Sequence, residues 1–169
     1  MYEGLSFLLM RVVLLLALSL ALVPAASSFN GELPPDVQDC ASGDVPRVVQ
    51  RFVRAFNARN LRALDRVFAP AAYFNWFSSG APGTRLGPPA YDRSTLIAYF
   101  KARQRQGERL RLVWVSRGGN ANGYGHFGFH VERRARGLPP KVYEGKGAAI
   151  CAASGDTISV WSYGRPIRR

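Results

Sequence analysis

The sequence predicts an α+β fold, with helical segments first and an antiparallel sheet afterwards, the helices lying on one side of the sheet. Up to Gly107 the apolar residues recur with a period near 3.6, and beyond it they alternate with a period of two. Clusters of Gly, Asn and Asp separate the later segments, as hairpin turns require.

Each element follows from its residues. Asp44 is placed to cap a helix over 45–59, with Pro46 tolerated in the first turn. "VVQRFVRAFNAR" carries apolar residues at 48, 49, 52, 53 and 56, and Arg47, Arg51 and Arg54 fall on the opposite, outward face. Asn60 restarts a shorter helix over 61–68, which Pro70 ends. "AAYFNWFSS" reads as a first strand beginning near Tyr73, and a Gly/Pro loop runs from Gly80 to Pro89. Asp92 or Ser94 caps a third helix over 93–106. Four strands are then expected. They are "RLRLVWVS", "HFGFHVERR" after a "GGNANGYG" turn, "KVYEGKGAAICAA" after a loop through Pro139–Pro140, and "TISVWSY" after the "SGD" turn.

The first 28 residues are expected to stand apart as a signal peptide. Arg11 precedes an apolar run from Val12 to Val23, and small residues from Ala25 to Ser28 offer a cleavage site. Glu3 is out of place in such a leader, which makes Met10 an alternative start. The apolar run is shorter than the ~20 residues that span a bilayer. A retained membrane anchor from Leu5 through Val23 is the competing reading. Residues 29–44 are read as an N-terminal extension, and 45–169 as the folded domain. The two cysteines, Cys40 and Cys151, suit an oxidising compartment and are expected to pair as a disulfide. A zinc site would want four clustered ligands.

The formal charge is +12. Such a charge fits an anionic envelope polymer, a lipid surface or nucleic acid as partner, and it fits equally a solvated arginine-rich surface. The solvated surface is the preferred reading. Nucleic acid is not expected, because no stacking aromatics interleave with the basic residues.

"HFGFHVE" resembles a metal-ligand comb, but strand geometry argues against it. His126, Gly128, His130 and Glu132 share one face and Phe127, Phe129 and Val131 the other. Four residues of strand separate the histidines by ~13 Å, too far for one metal with ~2.1 Å bonds to nitrogen. The phenylalanine row is expected to face the core, with the histidine row facing solvent or a partner subunit.

"FVRAFNARNLRALDRVFAPAAYFNWF" resembles the opening of the NTF2-like superfamily, which holds SnoaL-like cyclases and ketosteroid isomerases. The likeness extends over roughly Val45 to Tyr163. It implies a curved sheet wrapped around helices, a cone with a pocket at its open end. It rests on packing residues, so it speaks to fold more than to function. Laid on the isomerase pattern without gaps, it puts Phe52 where that family has its oxyanion-binding tyrosine and Trp76 where it has its general-base aspartate. Neither side chain can fill those roles.

The remaining candidates are aromatics with some polar tips. Tyr73, Asn75, Trp76, Tyr91, Tyr143 and Glu144 are the expected pocket residues, with His130 beside Asn75 and Glu144 as a group for orienting or acid/base work. Gly145 and Gly147 are read as sites of bending or close packing. No triad, P-loop or dinucleotide motif is present, and no cofactor or metal is expected. The sequence therefore reads as an exported, non-catalytic domain with an apolar pocket for a small ligand or partner, and a homodimer through the sheet is a further expectation. Its alternatives are a SnoaL-like isomerase, cyclase or dehydratase with a relocated acid/base pair, and a basic module for anionic polymers.

Overall fold

The computed structural model describes residues 33–70, 73–77, 89–90, 93–121 and 123–167, with backbone only at 75–77, 89, 90 and 93. The expected leader, most of the Gly/Pro loop, Tyr91 and Asp92 lie outside them.

Among the described residues three helices precede the long strands: α1 (Asp44–Asn57), α2 (Leu61–Val67) and α3 (Arg93–Arg105). Strands β1 (Val37–Gln38), β2 (Asn75–Phe77) and β3 (Pro89–Ala90) are interspersed with them. The long strands β4 (Arg109–Ala121), β5 (Tyr124–Ala135), β6 (Leu138–Ala152) and β7 (Thr157–Pro166) follow. They form one sheet in the order β3-β2-β7-β6-β5-β4, and β1 adds to the side of β6. Among the described strands every pairing is antiparallel except β2 on β7, which is parallel, and a single parallel bridge joins Phe68 to Ile158.

The helix period sets the core. Val45, Val48, Val49, Phe52 and Phe56 of α1 are buried, while Arg47, Arg51 and Arg54 point to solvent, as the 3.6-residue period demands. Phe52 meets Phe68, Phe100 and Trp161 at ring-centroid distances of 5.6, 5.5 and 4.5 Å. The strand period supplies the opposite wall. Phe127, Phe129 and Val131 are buried, and Phe129 stacks on Trp161 at 4.0 Å. Each such side chain stabilises the fold by about 1.5–3 kcal/mol relative to exposure.

Curvature comes from register shifts, two in β4–β5, one in β5–β6 and two in β6–β7, each of which bends and twists its strand. Close packing also depends on two glycines. Gly145 and Gly147 stand opposite Phe129 and Phe127 in the ladder, and a Cβ at either would run into the facing ring. The aromatic rings lie where glycine side chains are missing, as close packing requires.

Several local expectations are corrected. Gly43, not Asp44, holds the N-cap position, and Asp44 is the first helical residue; its carboxylate accepts from the Ala41 N–H and from Arg47. Ser94 is the second residue of α3 rather than the residue before it. The "GGNANGYG" stretch is mostly ladder, because a bulge between Arg117 and Asn120 absorbs its irregularity and leaves a tight turn at Gly123, φ 75°. Pro139 and Pro140 lie within β6, next to the shift between Arg133 and Ala135, where pairing is already interrupted and their missing N–H groups cost little. The residues read as an extension contribute β1, whose Gln38 pairs with Cys151. Cys40 and Cys151 are joined, with Cα atoms 5.2 Å apart, so the N-terminal segment is tied to the penultimate strand as expected.

Candidate functional site

The inward row of β5 continues past Val131 to Arg133, whose side chain is fully buried. A guanidinium there needs a partner, and the end of α3 provides it. Gly107, with φ 69°, turns the chain out of the helix and sets Glu108, 3 % exposed, at the head of β4. Arg133 Nε donates to Glu108 Oε1 at 2.6 Å and Nη2 to Oε2 at 3.1 Å, a bidentate fork. Nη2 also donates to the Tyr99 hydroxyl at 3.2 Å. The guanidinium carbon lies 4.5 Å from the ring centroid of Tyr163 and 5.0 Å from that of Tyr143, so two phenol faces enclose it.

Burial pushes the phenols of Tyr163 and Tyr99 above their ordinary range despite the nearby arginine. Both stay protonated at neutral pH and act as hydrogen-bonding phenols rather than bases. Glu108 is an acceptor already engaged on both oxygens. Arg103, stacked 5.5 Å from the Tyr99 ring, has Nε and Nη1 buried without a hydrogen-bond partner among the described residues. The interior cluster thus offers donors and aromatic faces.

The expected site residues are distributed between the two faces of the sheet. Tyr143 is buried on the inner face, its ring 6.4 Å from that of Tyr163. Glu144, one residue on, is exposed on the outer face opposite His130. His130 packs against Trp114, 48 % exposed, at 4.8 Å. Trp114, His130 and Glu144 therefore form a row across the outer face, separate from Tyr143. Tyr73 is half-buried, and its backbone carbonyl accepts from the Ser159 hydroxyl. The backbones of Asn75 and Trp76 pair with Val160 and Trp161 of β7. Tyr91 lies outside the described residues. His126 is exposed while Phe127 and Phe129 are buried, so the comb divides between faces by parity, but Glu132 at the end of the outer row is buried, paired with Arg111 and Arg134. Asp44, Cys151 and Asp156 place ligand-type atoms within 4.8 Å of one another, but the sulfur is bonded to Cys40.

The Glu108–Arg133 pair went unread in the sequence, although a signal existed. Arg133 has the same parity as Phe127, Phe129 and Val131, and an inward charge on a core-facing row demands a partner.

Open grooves mark the surface. One of about 400 Å³ lies between α1 and α2 and is lined by Arg51, Arg54 and Arg66 with Ala55, Ala63 and Val67. Another, of about 410 Å³, crosses the outer sheet face past His126, Lys146 and Ser162.

No protein-family model and no curated sequence matches the chain. Solved structures do. An NTF2-like family candidate dehydratase from Streptomyces avermitilis superposes with a TM-score of 0.62 at 10 % identity, covering 76 % of this chain and 96 % of that one. An NTF2-like protein of unknown function from Pseudomonas putida gives 0.60 at 7 % identity, covering 75 % and 87 %. A protein with a cystatin-like fold from Caulobacter vibrioides gives 0.59 at 12 %, covering 73 % and 87 %. The fold is α+β and NTF2-like. At such identities the likeness carries the fold alone.

Proposed function

We propose that the protein is an exported NTF2-like domain that binds a small apolar ligand or a partner without catalysing a reaction on it. The observation that carries this reading is that the buried carboxylates among the described residues are all engaged, Glu108 by both arms of Arg133, Glu132 by Arg111 and Arg134, and Asp44 by Arg47. A general base must be free to take a proton from the substrate. The position that resembles the isomerase tyrosine is Phe52, packed against Trp161, and Trp76 stands in place of the aspartate. The pocket on this reading lies where Tyr73, Asn75 and Trp76 run beside β7, an aromatic segment suited to an apolar ligand.

The test pairs two measurements on the purified chain: turnover of an enolisable steroid-like ketone, and binding of a neutral, environment-sensitive apolar dye. Dye binding without turnover, weakened by Trp76→Ala, is the expected outcome. Turnover that disappears in Asn75→Ala or Glu144→Ala would overturn the reading in favour of a relocated acid/base pair.

A further inference from the structure

The groove between α1 and α2 combines two features, guanidinium groups and an apolar surface. Its walls carry three guanidinium groups, Arg51 and Arg54 from α1 and Arg66 from α2. Its floor is apolar, made by Ala55, Ala58, Ala63 and the buried Val67.

The charges there are poorly compensated. The acidic residues of α1 and α2 are Asp44 and Asp65, and Asp44 is taken by Arg47 and the Ala41 N–H. Arg51 donates to the backbone carbonyl of Asp156, whose carboxylate attracts it and offsets part of its charge, so the uncompensated charge rests on Arg54 and Arg66. No ion pair among the described residues engages Arg54 or Arg66. Arg51 and Arg54 are neighbours at i,i+3 on one helix face, so their like charges repel. Asn60 also lines the groove. Its side-chain oxygen caps α2 by accepting from Ala63 N at 2.9 Å, which leaves its amide NH2 as a donor.

We propose that this groove is a binding site for a small organic anion, a phosphate monoester with a short apolar body. Guanidinium groups match phosphate oxygens in bidentate geometry, and a second and third arginine satisfy the remaining oxygens. The alanine floor takes the carbon chain, and a volume of about 400 Å³ accommodates a head group with a short tail. None of the lining residues belongs to the Tyr73–Trp76 segment, so this site does not depend on the apolar-pocket proposal.

The experiment is a titration of the full chain with hexyl phosphate, followed by calorimetry and by backbone amide shifts, with inorganic phosphate and hexan-1-ol as parallel ligands. Hexyl phosphate should bind saturably and shift amides between Ala55 and Val67. Inorganic phosphate should bind more weakly at the same place, and hexan-1-ol should leave those amides unmoved. The Arg54→Gln/Arg66→Gln variant, altered only at exposed positions, should melt like the parent and lose about tenfold or more in affinity. Raising salt from about 50 to about 500 mM should weaken binding as well, because the site is open to screening. Binding unchanged in the double variant, equal shifts from hexan-1-ol, or no saturable shift at all would each overturn the proposal. Neutral-dye binding should persist in the double variant, which separates this site from the apolar one.

Discussion

Glu108→Gln leaves the Arg133 guanidinium in place with its partner uncharged. Arg133 is fully buried and Glu108 is 3 % exposed, so neither charge is solvated in the fold. Removing one member of such a pair strands the other, a cost of about 3–5 kcal/mol. The two tyrosine faces at 4.5 and 5.0 Å keep part of their attraction, about 0.5–2 kcal/mol, which places the expectation near the lower end, about 3 kcal/mol. That is a large share of a total stability of about 5–15 kcal/mol. At about 2–5 °C per kcal/mol for a domain of this size, the melting temperature should fall by about 6–15 °C. Urea denaturation followed by circular dichroism measures the loss as a lower midpoint at constant slope. Glu108→Leu combined with Arg133→Met should recover most of it, because apolar residues of similar volume replace a buried pair at little cost. A loss in Glu108→Gln below about 1 kcal/mol, the level of a surface pair, would refute the reasoning, as would a double variant no more stable than the single one.

Four further outcomes follow from other parts of the fold. The hydrogen bond from Arg111 to Glu132, with a second from Arg134, holds the Glu132 carboxyl down from the ordinary 4.5 to about 2. Its stabilisation is therefore complete above pH 4.5 and lost as pH falls towards 2. Denaturation curves of the parent and Glu132→Gln should converge over that acid window and separate above it. Breaking the Cys40–Cys151 bond, which spans 111 residues of sequence, should destabilise the fold by about 4–5 kcal/mol in the chain-entropy model, read as a drop in melting temperature on reduction. Gly145→Ala should cost about 1–3 kcal/mol, since its Cβ would press on the Phe129 ring and sit 2.6 Å from the Ser162 carbonyl oxygen. Gly119→Ala, whose Cβ meets nothing within 4 Å, should stay within about 0.5 kcal/mol by the same denaturation assay.

What the sequence alone determined here is what periodicity encodes. The period of α1 separates Val48, Val49, Phe52 and Phe56 from Arg47, Arg51 and Arg54, and the parity of β5 separates Phe127 and Phe129 from His126, because a regular backbone turns position directly into face. The helix limits, to within two residues, and the order of the four long strands along the chain follow from that rule together with turn chemistry. The disulfide was legible for another reason: with two cysteines there is one pairing to consider. What only the tertiary structure decided are contacts between residues far apart in the chain. Nothing local in Glu108 tells it that Arg133 folds over it, since their meeting depends on α3 ending at Gly107 and on the register of β4 against β5. The parallel seating of β2 on β7 and the shifts that carry the ladder through the "GGNANGYG" stretch are set the same way. Adjacent residues such as Tyr143 and Glu144 read as one cluster in the sequence, but a strand sends neighbours to opposite faces, and the sheet puts its thickness between them. The α1–α2 groove was hidden too, because Arg66 joins Arg51 and Arg54 only once the two helices pack against each other, an arrangement fixed by their buried faces rather than by the arginines.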